Sequence, residues 1–145
     1  MLIDKLRIES DAVWFAVSSD LKEWEALESK EKCTKDKEEW FLVKIERYGS
    51  KECRALRRKL QKEKIDRARN GEQLEVIAEI TEKAAEHVLT DWDWLNDRDG
   101  KAIKYSKELA REFLQEDEDF LTVVIAMADE RDAYRAKIKE QSSKN

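Results

Sequence analysis

Residues 88–105, VLTDWDWLNDRDGKAIKY, decide how this chain is organised. The segment holds two of the five tryptophans, Trp92 and Trp94, beside one of only three glycines. Asp99 followed by Gly100 predicts a tight type I′ turn, because Asp tolerates the left-handed backbone region and Gly enters it without steric cost. The residues around the turn then fold back as a short two-stranded clip that packs its aromatic side chains on neighbouring helices. Trp92 is predicted to anchor this clip to the helices on either side.

The same segment crowds several aspartates together, which raises the alternative of a calcium-binding loop. Such a loop needs Asp at its first position, Gly at its sixth and Glu at its twelfth. With Gly100 as the sixth position, Leu95 and Ser106 would stand first and twelfth, where carboxylates are required. The spacing therefore excludes this kind of calcium site.

Two strands are predicted in the first 49 residues. Ala12–Val17 is short, apolar and rich in aromatic and β-branched residues, and Trp40–Tyr48 alternates almost strictly between apolar and polar. Between them, Trp24 belongs either to a short capped helix or to another strand, and the sequence leaves both open. The charged run Lys30–Glu39 is predicted to be a solvated loop.

Gly49 and Ser50 end the second strand, and a basic helix is predicted from Lys51 to about Asn70. Ser50 is its predicted N-cap, with Cys53 at the third helical position. Residues 51–69 carry nine Lys or Arg against three acids. Clustered cations are typical of nucleic-acid binding, because they release counterions from phosphates. The alternative is that these cations pair with acidic helices of the same chain. The net charge of −5 and the absence of aromatic residues within the run favour this alternative.

The second half of the chain is predicted to supply further helices. Glu72–Leu89 repeats apolar residues at intervals of three and four, which predicts one buried face. Ser106 caps another helix, and Phe120–Met127 is apolar nearly all round, so it is either the central helix of the core or a partner-binding helix. The residues predicted to be buried are Leu74, Ile77, Val88, Phe113, Phe120 and Val124.

Length and composition complete the predicted architecture. A chain of 145 residues fits one domain of the usual ~100 to 200 residues. A charged fraction of 43%, no proline and three glycines favour long helices with exposed, charged faces. We therefore predict an α+β fold, mostly α, with a small N-terminal antiparallel sheet packed against four or so helices. The predicted single domain is 1–140, with a strand-rich region at 1–49 and a helical region at 50–140, followed by a frayed tail at 141–145.

The residues suggest no catalytic, metal or cofactor site. His87 is the only histidine and has no obvious nucleophile beside it, while Cys33 and Cys53 lack a C-x-x-C arrangement. The longest apolar run, Ala12–Val17, is too short to span a membrane. We expect a non-enzymatic cytoplasmic protein that binds neither membranes nor, given its charge, nucleic acid.

Two stretches carry a family resemblance. The first runs from Trp92 through Asp97, Asp99, Gly100, Lys101 and Ile103 to Ser106, and on through Leu109, Phe113 and Leu114 to an aromatic near Tyr134; the second is RYGSKECRALRRK, residues 47–59. Together they resemble the phage tail assembly chaperone family of long-tailed phages. Trp94 departs from that pattern, which has a small residue at this position.

The resemblance implies a function that composition and spacing do not reach. Members of that family are non-enzymatic proteins that bind the long helical tape measure protein, keep it soluble, and leave as tail tube subunits polymerise around it. The expected partners are the tape measure protein and, secondarily, the tail tube protein, in the host cell cytoplasm; self-association stays open. The alternative function is a nucleic-acid-binding regulatory protein that uses the basic helix 51–69. The candidate partner-binding residues are Trp24, Trp94, Phe120, Val124 and Met127.

Overall fold

The structure is a computed structural model and describes residues 11–135. These residues form a four-stranded antiparallel sheet and a set of helices. This confirms the predicted α+β, mostly α fold. The predicted tail at 141–145 and the outermost residues of the predicted domain 1–140 lie outside the described residues. In chain order the elements are β1 (Ala12–Ser18), β2 (Trp24–Ala26), β3 (Trp40–Glu46), α1 (Lys51–Glu63), α2 (Ile65–Arg69), α3 (Gln73–Val88), β4 (Leu89–Asp93), α4 (Lys107–Glu116) and α5 (Glu118–Ala128), and residues 131–135 are again helical.

The sheet has the strand order β2-β1-β3-β4, with every neighbouring pair antiparallel. The predicted strands β1 and β3 form its centre, and Trp24 lies in the short edge strand β2 rather than in a helix. Alternate residues of the two central strands enter the core beneath the helices: Val13, Phe15, Val17, Phe41, Val43 and Ile45. The period of two in the sequence thus places one face of each strand against the helices.

The opposite face of the sheet is covered in part by the charged segment after β2. Lys30 begins a short 3-10 turn, and its Nζ lies 3.1 Å from Asp93 Oδ2 and 5.2 Å from the centre of the Trp14 ring. Ala16 and Leu42, which pair on this face, are fully buried. The predicted solvated loop Lys30–Glu39 is exposed at most of its residues, as expected, but it begins with a 3-10 turn and Lys30 packs against the sheet.

The basic helix is broken at Lys64 into α1 and α2, instead of running unbroken to Asn70. Ser50 caps α1 as predicted, since its Oγ accepts a hydrogen bond from Cys53 N–H at 3.1 Å. Two cations near the break contact the acidic helix α3: Lys64 Nζ lies 2.7 Å and Arg67 Nη1 2.8 Å from Glu79 Oε2. Internal pairing with an acidic helix thus accounts for some of the basic run.

Glu79→Gln is expected to lower the thermal stability at neutral pH, and the difference from wild type should shrink in acid. Hydrogen bonds from Arg67 and then Lys64 lower the pKa of Glu79 from its ordinary value of 4.5 to about 2. A carboxylate with a lowered folded pKa stabilises the fold above its unfolded pKa, and this contribution disappears as the pH falls from about 4.5 to about 2. Melting curves of both proteins between these values and neutrality measure it. Glu75→Gln, at an exposed site on the same helix, is the matched control, and a difference that does not change with pH would contradict the prediction.

Helix α3 buries one part of its predicted apolar face and exposes the other. Leu74 and Ile77 are 83% and 59% exposed, so their predicted burial is wrong. The helix buries Val76, Ile80, Ala84, Ala85 and Val88. The apolar residues of this helix form two neighbouring stripes, and the packing of α4 and α5 decides which one enters the core. Burial of Val88, Phe120 and Val124 is confirmed, while Phe113 is only partly buried against the core.

The turn after β4 forms differently from the prediction. Gly100 adopts a left-handed φ of +79° but Asp99 does not, so the turn is not type I′. Asp97 closes it instead: its carbonyl accepts from Gly100 N–H at 3.0 Å, and its side chain accepts from the N–H groups of Asp99 and Lys101. The predicted clip is reduced to a single bridge, Asn96↔Ala102, because the residues before the turn pair with β3 as strand β4.

Candidate functional site

A shallow groove lies between the loop after β1, the loop after β4 and the junction of α4 with α5. It consists of two adjoining hollows of about 370 and 390 Å3 that share the side chains of Phe41 and Leu95. We call it the apolar groove. Its main apolar walls are Leu21, Phe41, Trp94, Leu95, Phe113 and Phe120.

Two strained backbone positions stand at the groove. Leu21 and Trp94 both have φ of +63°, and they are the only residues other than glycine with positive φ within 11–135. Bulky side chains adopt this conformation rarely, at a cost of about 1–3 kcal/mol. Leu21 is held there by a hydrogen bond from its N–H to Ser18 O at 2.9 Å, and Trp94 by one from its N–H to Asp93 Oδ1 at 2.8 Å. Such strain clusters at binding sites, where the fold holds a side chain in a conformation that function requires.

Charged side chains flank the mouth of the groove, two acids on one side and Lys37 beside Glu38 on the other. Glu116 and Asp117 line it at the α4–α5 junction, and Asp117 also caps α5 by accepting from Phe120 N–H at 3.1 Å. Across the groove, Lys37 Nζ lies 5.3 Å above the Trp94 ring. A ligand in the groove would therefore meet apolar walls flanked by fixed charges.

The structure brings together only some of the predicted partner-binding residues. Trp94 is half-buried in the groove, and the buried Phe120 ring packs 6.2 Å from that of Phe41. Trp24 lines a separate hollow and donates from Nε1 to Glu130 Oε2 at 3.2 Å. Val124 and Met127 are fully buried in the core, so they would meet a partner only if α5 moved.

Sequence reasoning missed Leu21, Phe41 and Leu95 as groove residues. The alternation that includes Phe41 indicates only a strand, and no sequence pattern marks Leu21 or Leu95, because their positions depend on unusual loop backbones. The acidic run after α4, which the sequence shows as an interruption between helices, is the one signal that marks this edge of the groove.

Metal ligands, cysteines and membrane-spanning helices are three further features that bear on the kind of site. No group of three or more His, Cys, Asp or Glu within 11–135 is arranged to hold a metal ion. Both cysteines are free, and burial raises the pKa of the Cys53 thiol. No helix in the same portion of the chain combines the length and the apolar character needed to cross a membrane.

Comparison with known proteins gives one match. The model of the YdaY prophage protein family matches residues 44–145. The matched segment contains Trp94, Leu95, Phe113 and Phe120 of the apolar groove, whereas Leu21 and Phe41 precede it. No curated protein and no solved structure matches the chain.

Proposed function

The chain belongs to the YdaY prophage protein family, and from this premise we propose that it is a non-enzymatic tail assembly chaperone. In this role it binds the tape measure protein in the host cell cytoplasm, keeps it soluble and assists tail tube assembly. The apolar groove is the surface that accepts the partner. The strained pair Leu21 and Trp94 is the observation that carries the proposal, because both side chains are held toward one apolar groove.

The occupant proposed for the groove is an amphipathic helix of the tape measure protein. Aromatic and aliphatic walls suit the apolar stripe of such a helix, which docks through side chains spaced by three and four residues. Glu116 and Asp117 at the mouth suit a stripe flanked by Lys or Arg. The half-buried Trp94 offers a large contact area at a low entropic cost.

Co-expression with a tape measure protein of the same phage or prophage tests the proposal. Wild type is expected to raise the soluble fraction of the tape measure protein, and Trp94→Asn should lose most of that gain. Asn is chosen because it tolerates the left-handed backbone and removes the aromatic contact without adding strain. The variant should therefore change the free energy of unfolding by no more than about 0.5 kcal/mol, which is typical of surface substitutions.

Leu74→Gln is the matched control, because Leu74 is, among residues 11–135, the most exposed large apolar side chain outside the groove. It should solubilise the tape measure protein as well as wild type does. Equal solubility with and without the protein would refute the chaperone function. Loss of the gain in Leu74→Gln but not in Trp94→Asn would refute the groove and assign the contact to α3.

A nucleic-acid-binding regulator is the second candidate, because several cations of α1 stay unpaired. Lys51, Arg58, Lys59 and Lys62 form no ion pair with any residue in 11–135. We nevertheless expect no retardation of duplex DNA at moderate salt, since the net charge is −5 and no aromatic residue stands among these cations. Gel retardation across a salt series measures it. Sub-micromolar binding that weakens steeply with salt would place the regulator first.

A further inference from the structure

A second cavity, of about 460 Å3, lies where the end of β3, the first turns of α1 and the segment after α5 meet. Its lining contains five arginines and a single acid, Asp129; the arginines are Arg47, Arg54, Arg57, Arg131 and Arg135. We call it the arginine pocket. It lies away from the apolar groove and shares no lining residue with it.

Most of the positive charge in the arginine pocket is uncompensated. Arg47 contacts Asp11 at 3.0 Å, but the other four arginines take part in no ion pair found within residues 11–135. In the same portion of the chain, the Nε atoms of Arg57 and Arg135 are buried and have no hydrogen-bond partner. Buried N–H groups without acceptors, beside several like charges, are unfavourable unless an anion enters.

The fold holds the side chain of Arg57 in place before any ligand binds. Tyr48 N–H donates to Ala128 O at 2.8 Å and ties the loop after β3 to the end of α5. Arg57 donates from Nη2 to Tyr48 O at 3.1 Å, and its guanidinium lies 3.9 Å from the centre of the Tyr48 ring. A fixed guanidinium loses little entropy on binding, so this part of the pocket is organised for a ligand.

We propose that the arginine pocket binds a small compound through one or more phosphate groups. Several guanidinium forks around one cavity suit the tetrahedral, multiply charged phosphate better than a single carboxylate. The start of α1 lies beside Arg54, and the helix dipole adds to the positive potential. A volume of about 460 Å3 exceeds the need of one inorganic phosphate and falls in the range of small-ligand sites, so pyrophosphate or a nucleotide is the expected size of ligand.

Isothermal titration with pyrophosphate, ATP and adenosine at about 150 mM NaCl tests the proposal. Pyrophosphate or ATP should bind wild type with a Kd below about 1 mM, and adenosine should not bind. Arg57→Gln and Arg135→Gln should each weaken binding by about ten-fold or more, because each removes a charged hydrogen-bond donor. Arg54→Gln should also weaken binding, and since Arg54 is exposed, it keeps the test valid if the other variants unfold.

Arg58→Gln is the matched control, since Arg58 lies on the same helix outside the pocket and should change the Kd by less than about two-fold. Absence of binding by pyrophosphate and ATP would overturn the proposal. So would an equal loss in Arg58→Gln and Arg54→Gln, or binding of duplex DNA alone, because either result assigns the cations to a helix surface. The outcome is independent of the chaperone function, which is measured without phosphate compounds.

Discussion

Trp92→Ala is expected to lower the free energy of unfolding by about 3–5 kcal/mol, the range for deleting a large aromatic side chain from a core. Trp92 is buried, and its ring stacks on Phe113 at 5.3 Å and meets Tyr105 edge-on at 5.0 Å. Its Nε1 also donates to Ile103 O at 2.7 Å. One side chain therefore joins β4, the segment after the turn and α4, and its loss leaves both a cavity and an unpaired carbonyl.

Urea unfolding of wild type, Trp92→Ala and Trp92→Phe measures the effect. The Phe variant keeps much of the ring packing and loses the hydrogen bond to Ile103, so it should fall between the other two. Trp94→Asn serves as the control, because Trp94 is the neighbouring tryptophan and is only half-buried. A loss in Trp92→Ala no larger than that of the control would contradict the anchoring role.

Trp92→Ala should also disturb the apolar groove. Phe113 and Ile103 contact Trp92, and both also line the groove. Trp92→Ala is thus expected to reduce solubilisation of the tape measure protein together with stability. Trp94→Asn is expected to reduce solubilisation alone. Comparing the two variants therefore distinguishes a residue that supports the groove, Trp92, from one that contacts the partner in the groove, Trp94.

Local patterns are enough to predict the centre of the sheet and the cap of α1. Alternation marks β3, and a short apolar run marks β1, because one face of each strand must be buried. The turn around Gly100 is located by its residues, yet its predicted type is wrong, because the side chain of Asp97 supplies hydrogen bonds that a count of turn residues does not weigh.

Local patterns do not predict features that depend on residues distant in the chain. The pairing of strand β4 with β3 is not predicted, since it joins residues far apart in the chain. The predicted burial of Leu74 and Ile77 in α3 is wrong because the apolar residues of this helix form two adjacent stripes, and only the neighbouring helices select between them. Tertiary packing thus overrides a periodicity that is compatible with more than one face.

The two candidate sites show the same limit. The left-handed φ of Leu21 and Trp94 has no sequence signature, because such residues are held by their surroundings. The arginine pocket joins arginines near the start of α1 to others after α5. The basic run of α1 is evident in the sequence, but its partners in the pocket, Arg131 and Arg135, stand outside any run of cations.

Tyr134→Ala is the second substitution expected to cost about 3–5 kcal/mol. Tyr134 is buried, its ring lies 6.2 Å from that of Phe15, and its hydroxyl stands 3.1 Å from Ile45 O and 3.3 Å from Met127 O. The side chain therefore fastens residues 131–135 to both the sheet and α5. Tyr134→Phe keeps the ring and should cost only the ~0.5–1.5 kcal/mol of one hydrogen bond.

The pH dependence of stability distinguishes the contribution of the Tyr134 hydroxyl from that of its ring. Burial raises the pKa of Tyr134 well above its ordinary value of 10. A group with a raised folded pKa stabilises the fold fully below its unfolded pKa, and this contribution is lost as the pH rises above about 10. The advantage of wild type over Tyr134→Phe, measured by urea unfolding from neutral pH to about pH 11, should therefore shrink above pH 10. A constant advantage would show that the phenol ionises as easily in the folded state as in the unfolded chain, which would contradict its burial between β3 and α5.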